Sequence, residues 1–123
     1  MNEVVTATTA TEPVVPTDAL APNTVVVAAG AYTAEMQELE PATLTGANNV
    51  FADVPEEAIE TGDARAAELT VNDLRTLSAA LDERPNAGRR VVLSVGSAVF
   101  DAATADHVRE QAAAENVGQI INF

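Results

Sequence analysis

Arg89–Phe100, RRVVLSVGSAVF, is the one uninterrupted β-branched run with helix-patterned sequence on both sides, and its reading decides the fold. VVLSV in such a setting predicts a strand buried on both faces of a parallel sheet. Upstream, Thr70 is placed to cap a helix running to about Arg84, with Val71, Leu74, Leu77 or Ser78, and Leu81 on one face and Asp73 at the capping-box position. Pro85–Gly88 ends it. Downstream, Gly96–Phe100 leads to Asp101, an N-cap for a second helix through about Asn116 with an inner stripe of Ala105, Val108 and Ala112. Gly118 punctuates, and Gln119–Phe123 reads as a last strand. A strand, crossover helix and strand of this length imply a right-handed parallel unit, with Val91–Val95 beside Ile120–Phe123.

Toward the amino terminus the pattern is less regular. Pro55–Ala67 starts like a helix at a proline before Gly62 weakens it, Val50-Phe51 packs locally, and Gly46–Asn49 is a turn by composition. Ala34–Thr45 reads either as one helical turn stopped by Pro41 or as a strand with Met36, Leu39 and Leu44 partly buried. Thr24–Thr33 (TVVVAAGAYT) is a second β-branched run, read as a strand with a bulge or bend at Gly30. Met1–Asn23 is built from Thr, Ala, Val and Pro, with prolines at 13, 16 and 22 that forbid a helix and interrupt a strand ladder. The expected organisation is therefore an extended N-terminal arm over 1–23 and one small α/β (or α+β) domain over 24–123. Its clearest part is a helix–strand–helix–strand unit at 69–123.

Composition limits the core. Of 58 apolar residues 25 are alanine and 16 valine, and at roughly 25 cal/mol per Å2 such side chains gain little burial energy each. An isolated body of this kind is marginal, which favours burial against another subunit. There is no cysteine, hence no disulfide or thiolate metal site. The longest apolar run falls short of the roughly 18 residues of a membrane span. Met1–Ala10 has an acid at Glu3 and no basic n-region, so no secretory signal is expected.

The net charge is −13, and all six basic residues are arginine. Two explanations stand side by side: adaptation to high salt, where a Debye length of about 3 Å removes self-repulsion, and a GC-rich genome that replaces Lys with Arg. Either way unaided binding to nucleic acid is disfavoured, because phosphates demand a basic patch. Acids concentrate in residues 35–68, which carry nine against one arginine.

Side chains with chemical potential are few. Gly96-Ser97 lies at the carboxyl end of a strand ahead of a helix, where α/β folds bind anions and nucleotides. It has one glycine and no lysine, and Asp101 follows, so the expected role is a structural turn. His107, the only histidine, sits between Asp106 and Arg109 on a polar helix face. The acids Glu56, Glu57, Glu60 and Asp63 do not match the calcium-loop spacing and read as a hydrated face. No catalytic, cofactor-binding or metal-ligating residue is expected. The candidate partner-binding residues are Val4, Val5, Val14 and Val15, able to add to a sheet edge, and Arg89 and Arg90, which either pair with a neighbour's acids or cover the strand's entrance.

An acidic, lysine-free chain with a Thr/Ala/Val/Pro arm ahead of a compact domain resembles the small virion proteins of tailed viruses, especially those of haloarchaea. The resemblance is compositional and covers Met1–Thr33 best. It implies a non-enzymatic structural component of the viral particle, a capsid decoration or minor capsid protein. Such a component would be assembled in the host cytoplasm, oligomeric, and bound to other virion proteins such as the major capsid protein, without direct contact to nucleic acid or membrane. The alternatives are a tail, neck or baseplate component, and, from another class, a small α/β enzyme or ligand-binding module using the Gly96–Asp101 loop. Composition also admits an adaptor of a cellular complex. Salt adaptation predicts that Tm rises as NaCl is raised from low to molar concentration; a flat or falling Tm in a thermal melt series assigns the composition to codon usage.

Overall fold

Three valine runs lie side by side: Val4 pairs with Val26, Val26 with Val91, and Val91 with Val50. The computed structural model describes residues 3–82, 87–119 and 121. Its strands are β1 (Glu3–Thr6), β2 (Val25–Ala28), β3 (Asn49–Ala52), β4 (Arg75–Thr76) and β5 (Arg90–Leu93), all parallel, in the order β1-β2-β5-β3-β4. The chain is thus a small α/β single domain on a parallel sheet, as its β-branched runs predict, and β5 lies inside that sheet.

Period-two alternation sorts the strands into two faces. On one face Val26, Ala28, Val91, Leu93, Val50 and Ala52 join Leu39, Leu44 and Leu20 in the core. Three short helices cover this face: α1 (Pro41–Thr45), α2 (Pro55–Ala58) and α3 (Gly62–Ala66), each placing one or more residues there (Leu44, Ala58 and Ala64). Proline opens α1 and α2 at the first helical position, where a missing N–H costs nothing. On the other face Phe51 is buried under the Arg75 guanidinium, 5.5 Å from the ring centroid, whereas Val27 and Val92 are half-buried and Val5 is 69% exposed.

Several local expectations change. The 1–23 segment carries β1, an isolated bridge from Val15 to Leu39, and the buried Leu20. Pro41 starts a helix where a stop was expected. The helix expected from Thr70 to Arg84 is instead a 3-10 turn (Val71–Asp73), the strand β4 and the short helix α4 (Ala79–Asp82). The capping box does form: Thr70 N and Oγ1 donate to Asp73 Oδ2 at 2.8 and 2.6 Å. It closes one turn, and the sheet takes the chain immediately afterwards through Arg75, since a strand partner offers more backbone hydrogen bonds than a weakly apolar helix.

The long helix α5 spans Ala98–Ala114 and is capped by Ser97, whose hydroxyl accepts from Val99 N, so it begins before the expected cap Asp101. None of its residues is buried, and Val99, Phe100 and Val108 are exposed. Gln119 and Ile121 belong to no strand. The rest of the expected last strand, Ile120, Asn122 and Phe123, lies outside the described residues, as do residues 83–86 at the end of the expected first helix. The neighbours of β5 are β2 and β3, and no crossover unit with a C-terminal strand is present among the described residues.

Gly62 does not weaken one helix but begins the second. Its N–H donates to Thr33 O at 2.9 Å, and a Cβ there would collide with Met36 O and sit 2.9 Å from Ala34 O. Gly62→Ala is therefore expected to lower the unfolding free energy by about 1–3 kcal/mol, measured by urea denaturation.

Candidate functional site

Because every strand is parallel, all five carboxyl ends meet at one edge, the edge at which open α/β sheets hold ligands. Two carboxylates staple the loops that leave it. Glu38, fully buried, accepts from Thr6 Oγ1 (2.8 Å), Thr8 N (2.6 Å) and Gly30 N (2.9 Å), tying the end of β1 to the loop after β2. Gly30 allows this close approach, because a Cβ would run into the Thr8 backbone and the Glu38 carboxylate. The expected bulge is absent: β2 ends at Ala28 and the glycine follows as part of the loop.

Asp53 performs the corresponding task on the other side of the edge. At the end of β3, it accepts from Ser94 Oγ (2.9 Å), Val95 N (3.2 Å), Gly96 N (3.1 Å) and Val54 N (2.8 Å). These bonds hold the Ser94–Ser97 loop against β3. Gly96 has φ +80 with no atom within 4 Å of where a Cβ would stand, so this loop presents bare backbone to open space. In sheet order the two staples fall on β1/β2 and on β5/β3, leaving the loops after β2 and β5 as adjacent rims.

Glu38 is itself braced. Asp63 Oδ1 accepts from Glu38 N (2.8 Å) and Leu39 N (2.7 Å), while Asp63 Oδ2 is buried without a partner. Burial would raise the Glu38 carboxyl, but its hydrogen bonds from Thr8, Gly30 and Thr6 outweigh that and hold it below the usual glutamate value. For Asp63 burial wins: its carboxyl is raised despite the bonds from Leu39 and Glu38 N–H, and the nearby Glu38 charge adds to the rise.

The residues singled out from sequence fall as follows. Gly96 and Ser97 are at this edge, Ser97 as the cap of α5. His107 is exposed on α5, where Arg109 pairs with Asp106. Of the four acids read as a hydrated face, Glu56, Glu57 and Glu60 are exposed, Glu60 pairs with Arg65, and Asp63 is buried. No group of metal-ligating side chains occurs among the described residues. Val4 is half-buried beside the core and Val5 exposed, both paired to β2. Val14 is exposed and donates its N–H to Glu38 O, and Val15 is half-buried. Arg89 donates to Leu20 O at 3.4 Å, and the Nε atoms of Arg89 and Arg90 are buried without partners. Sequence reasoning missed Glu38, Asp53 and Asp63. Only Asp53 had a signal, its place directly after the short apolar run Val50–Ala52.

Known proteins share this arrangement. A family model described as the ornithine cyclodeaminase/mu-crystallin family matches residues 1–116. The chain belongs to this family. Among solved structures it is similar to an archaeal alanine dehydrogenase dimer with bound NAD (30% identity, TM-score 0.75), covering 99% of this chain and 41% of that one. It is also similar to the iminosuccinate reductase of Paracoccus denitrificans in complex with NAD+ (26%, TM-score 0.77, 98% and 40% covered). A third similar structure is a probable ornithine cyclodeaminase from Bordetella pertussis Tohama I (26%, TM-score 0.75, 96% and 41% covered). No curated protein matches. The chain thus spans about two fifths of the length of these structures.

Family membership corrects the functional expectation. A virion component, whether capsid decoration, minor capsid, tail, neck or baseplate, is overturned, and with it the virion location and the non-enzymatic assignment; the alternative of an α/β enzyme is the better fit. The acidic, lysine-free composition that suggested a virion describes the solvent-facing surface. The carboxyl edge consists of backbone and two single carboxylates, which composition does not register.

Glu38 supports the fold fully above the ordinary glutamate range and loses that contribution as pH falls through its lowered folded value. Asp63 acts oppositely, favouring folding most below the ordinary aspartate value and less as pH rises through its raised one. Glu38→Gln sets an amide donor against three donors and is expected to cost about 1–3 kcal/mol at neutral pH, with the deficit narrowing below about pH 4. Asp63→Asn, which keeps the accepting oxygen, is expected to cost less. Urea titrations across pH check both.

Proposed function

We propose that this chain forms the carboxyl-edge wall of a nicotinamide-dependent oxidoreductase or cyclodeaminase site for a small α-amino acid or its imine. The observation carrying this reading is the pair of staples, Glu38 and Asp53, that hold the loops after β1, β2 and β5 as a preformed rim on a chain of this family. NAD accompanies two of the similar structures, the alanine dehydrogenase and the iminosuccinate reductase.

The residues present fit one end of such a cofactor and not the other. Open backbone at Gly96 and the Gly30 loop suit a flat ring held by N–H and C=O groups. The phosphate end needs a glycine-rich turn ahead of a helix. The chain's glycines stand at 30, 46, 62, 88, 96 and 118, so no two are close enough in sequence to form it. No reaction step is therefore routed through the cofactor. What this chain's own groups do is bind and orient. Tyr32 and Ser97 offer hydroxyls at the rim, and the Tyr32 ring is exposed on the loop that Glu38 holds. Glu38 itself is committed to three donors and is no proton carrier.

The test is a two-dimensional amide NMR titration of the full chain with nicotinamide mononucleotide and, separately, adenosine monophosphate. Shifts at Gly30 and Gly96 with the first probe and not the second are expected; equal response to both, or no response, overturns the reading. Asp53→Asn, with a donor facing Gly96 N, is expected to weaken the nicotinamide response about tenfold.

A further inference from the structure

The opposite edge of the sheet holds a second feature. At the amino ends of β3 and β4 lies a cavity of about 430 Å3, walled by Leu44, Ala47 and Leu69 and lined by Asn49, Arg75 and Glu68. Asn49, the first residue of β3, is 8% exposed. Arg75, the first residue of β4, donates from Nη1 to Asn49 Oδ1 at 3.1 Å. An arginine can only donate, so this bond fixes which way the amide is turned: the oxygen faces the guanidinium and Nδ2 faces away. Nδ2 is buried and has no acceptor in the fold. A buried N–H in that condition is uncommon and calls for an outside partner.

The electrostatics of the cavity are mixed. In a chain of net charge −13, the amino edge gathers three of six arginines, Arg75, Arg89 and Arg90. Two acids also line the cavity. Asp73 is taken up by its capping box with Thr70, whereas Glu68, exposed and held at φ 54, makes no hydrogen bond or ion pair among the described residues. A bare anion would meet Glu68 repulsively, and a bare amine would meet Arg75.

We propose that this cavity binds a small α-amino acid, distinct from the carboxyl-edge site. The carboxylate accepts from Asn49 Nδ2 beside the Arg75 guanidinium, and the ammonium turns toward Glu68. The site is at the opposite ends of the strands from the proposed ring-binding loops, so a ligand there does not compete with one at Gly96.

The test uses the full chain and four probes: L-alanine, acetate, ethylammonium and inorganic phosphate, each followed by NMR at the Asn49 side-chain amide. Saturable shifts with alanine at millimolar concentration, and markedly weaker ones with the other three, are expected. Glu68→Gln, an exposed change, is expected to weaken alanine about tenfold and leave acetate unaltered. Arg75→Gln is expected to weaken both alanine and acetate. Acetate or phosphate binding as tightly as alanine, alanine affinity unmoved by Glu68→Gln, or no saturation by tens of millimolar overturns the proposal. Shifts at Gly30 or Gly96 with no change at Asn49 would place alanine at the other edge and likewise overturn it.

Discussion

A single buried carboxylate holds the useful edge of this molecule together. Glu38 lies where two short strands end, and three donors converge on it from segments up to 32 residues away in sequence. A charge taken out of water is tolerated only when its oxygens are satisfied, and then removal of any partner is costly. The loops after β1 and β2 are therefore tied to each other through the side chain. Gly30 exists in the form it does because nothing larger leaves room for that carboxylate.

The rest of the architecture makes this possible. Leu39, the next residue, is fully buried and bridges Val15, so the chain at 38–39 is pinned on its apolar side. Asp63 holds the same two backbone N–H groups from the other side, and it gets there because Gly62 packs directly on the 34–36 backbone. Core, brace and staple form one connected unit. The strands themselves are four residues or fewer, too short to define loop positions by their own pairing, so side-chain carboxylates take over that role. Asp53 repeats the solution at the loop after β5. The two ends of the sheet then differ in kind: the carboxyl edge has its polar groups mutually satisfied and its backbone presented, whereas the amino edge leaves buried donors on Asn49, Arg89 and Arg90 unmatched.

The contrast with composition is instructive. Nineteen acids in 123 residues look like a solvated coat, and most of those described are on the surface. Glu38, Asp53 and Asp63 have the same side chains as their exposed neighbours and nothing in local pattern sets Glu38 or Asp63 apart. A count of charges averages them into the background, and that average pointed to a particle surface when the decisive acids were structural ties in an enzyme fold. Likewise the Thr, Ala, Val and Pro of residues 1–23 have the makeup of a solvated tail. Yet Glu3–Thr6 is a sheet strand, because a partner strand 22 residues later supplies the hydrogen bonds that local sequence cannot.

What the sequence determined alone was the class and the strongest strands. Long β-branched runs at Val25–Val27 and Val91–Val92 have few other stable states, so a parallel α/β body with RRVVLSV inside it was legible, as was the capping box at Thr70, which needs only residues three apart. Tertiary structure decided the rest. β3 and β4 are too short for periodicity to reveal and exist because β5 and β3 offer an edge. The helix expected after Thr70 gave way to that pairing. Above all, which carboxylates are buried, and which loops they join, depends on contacts 24 to 42 residues apart, and no window of local pattern reaches that far.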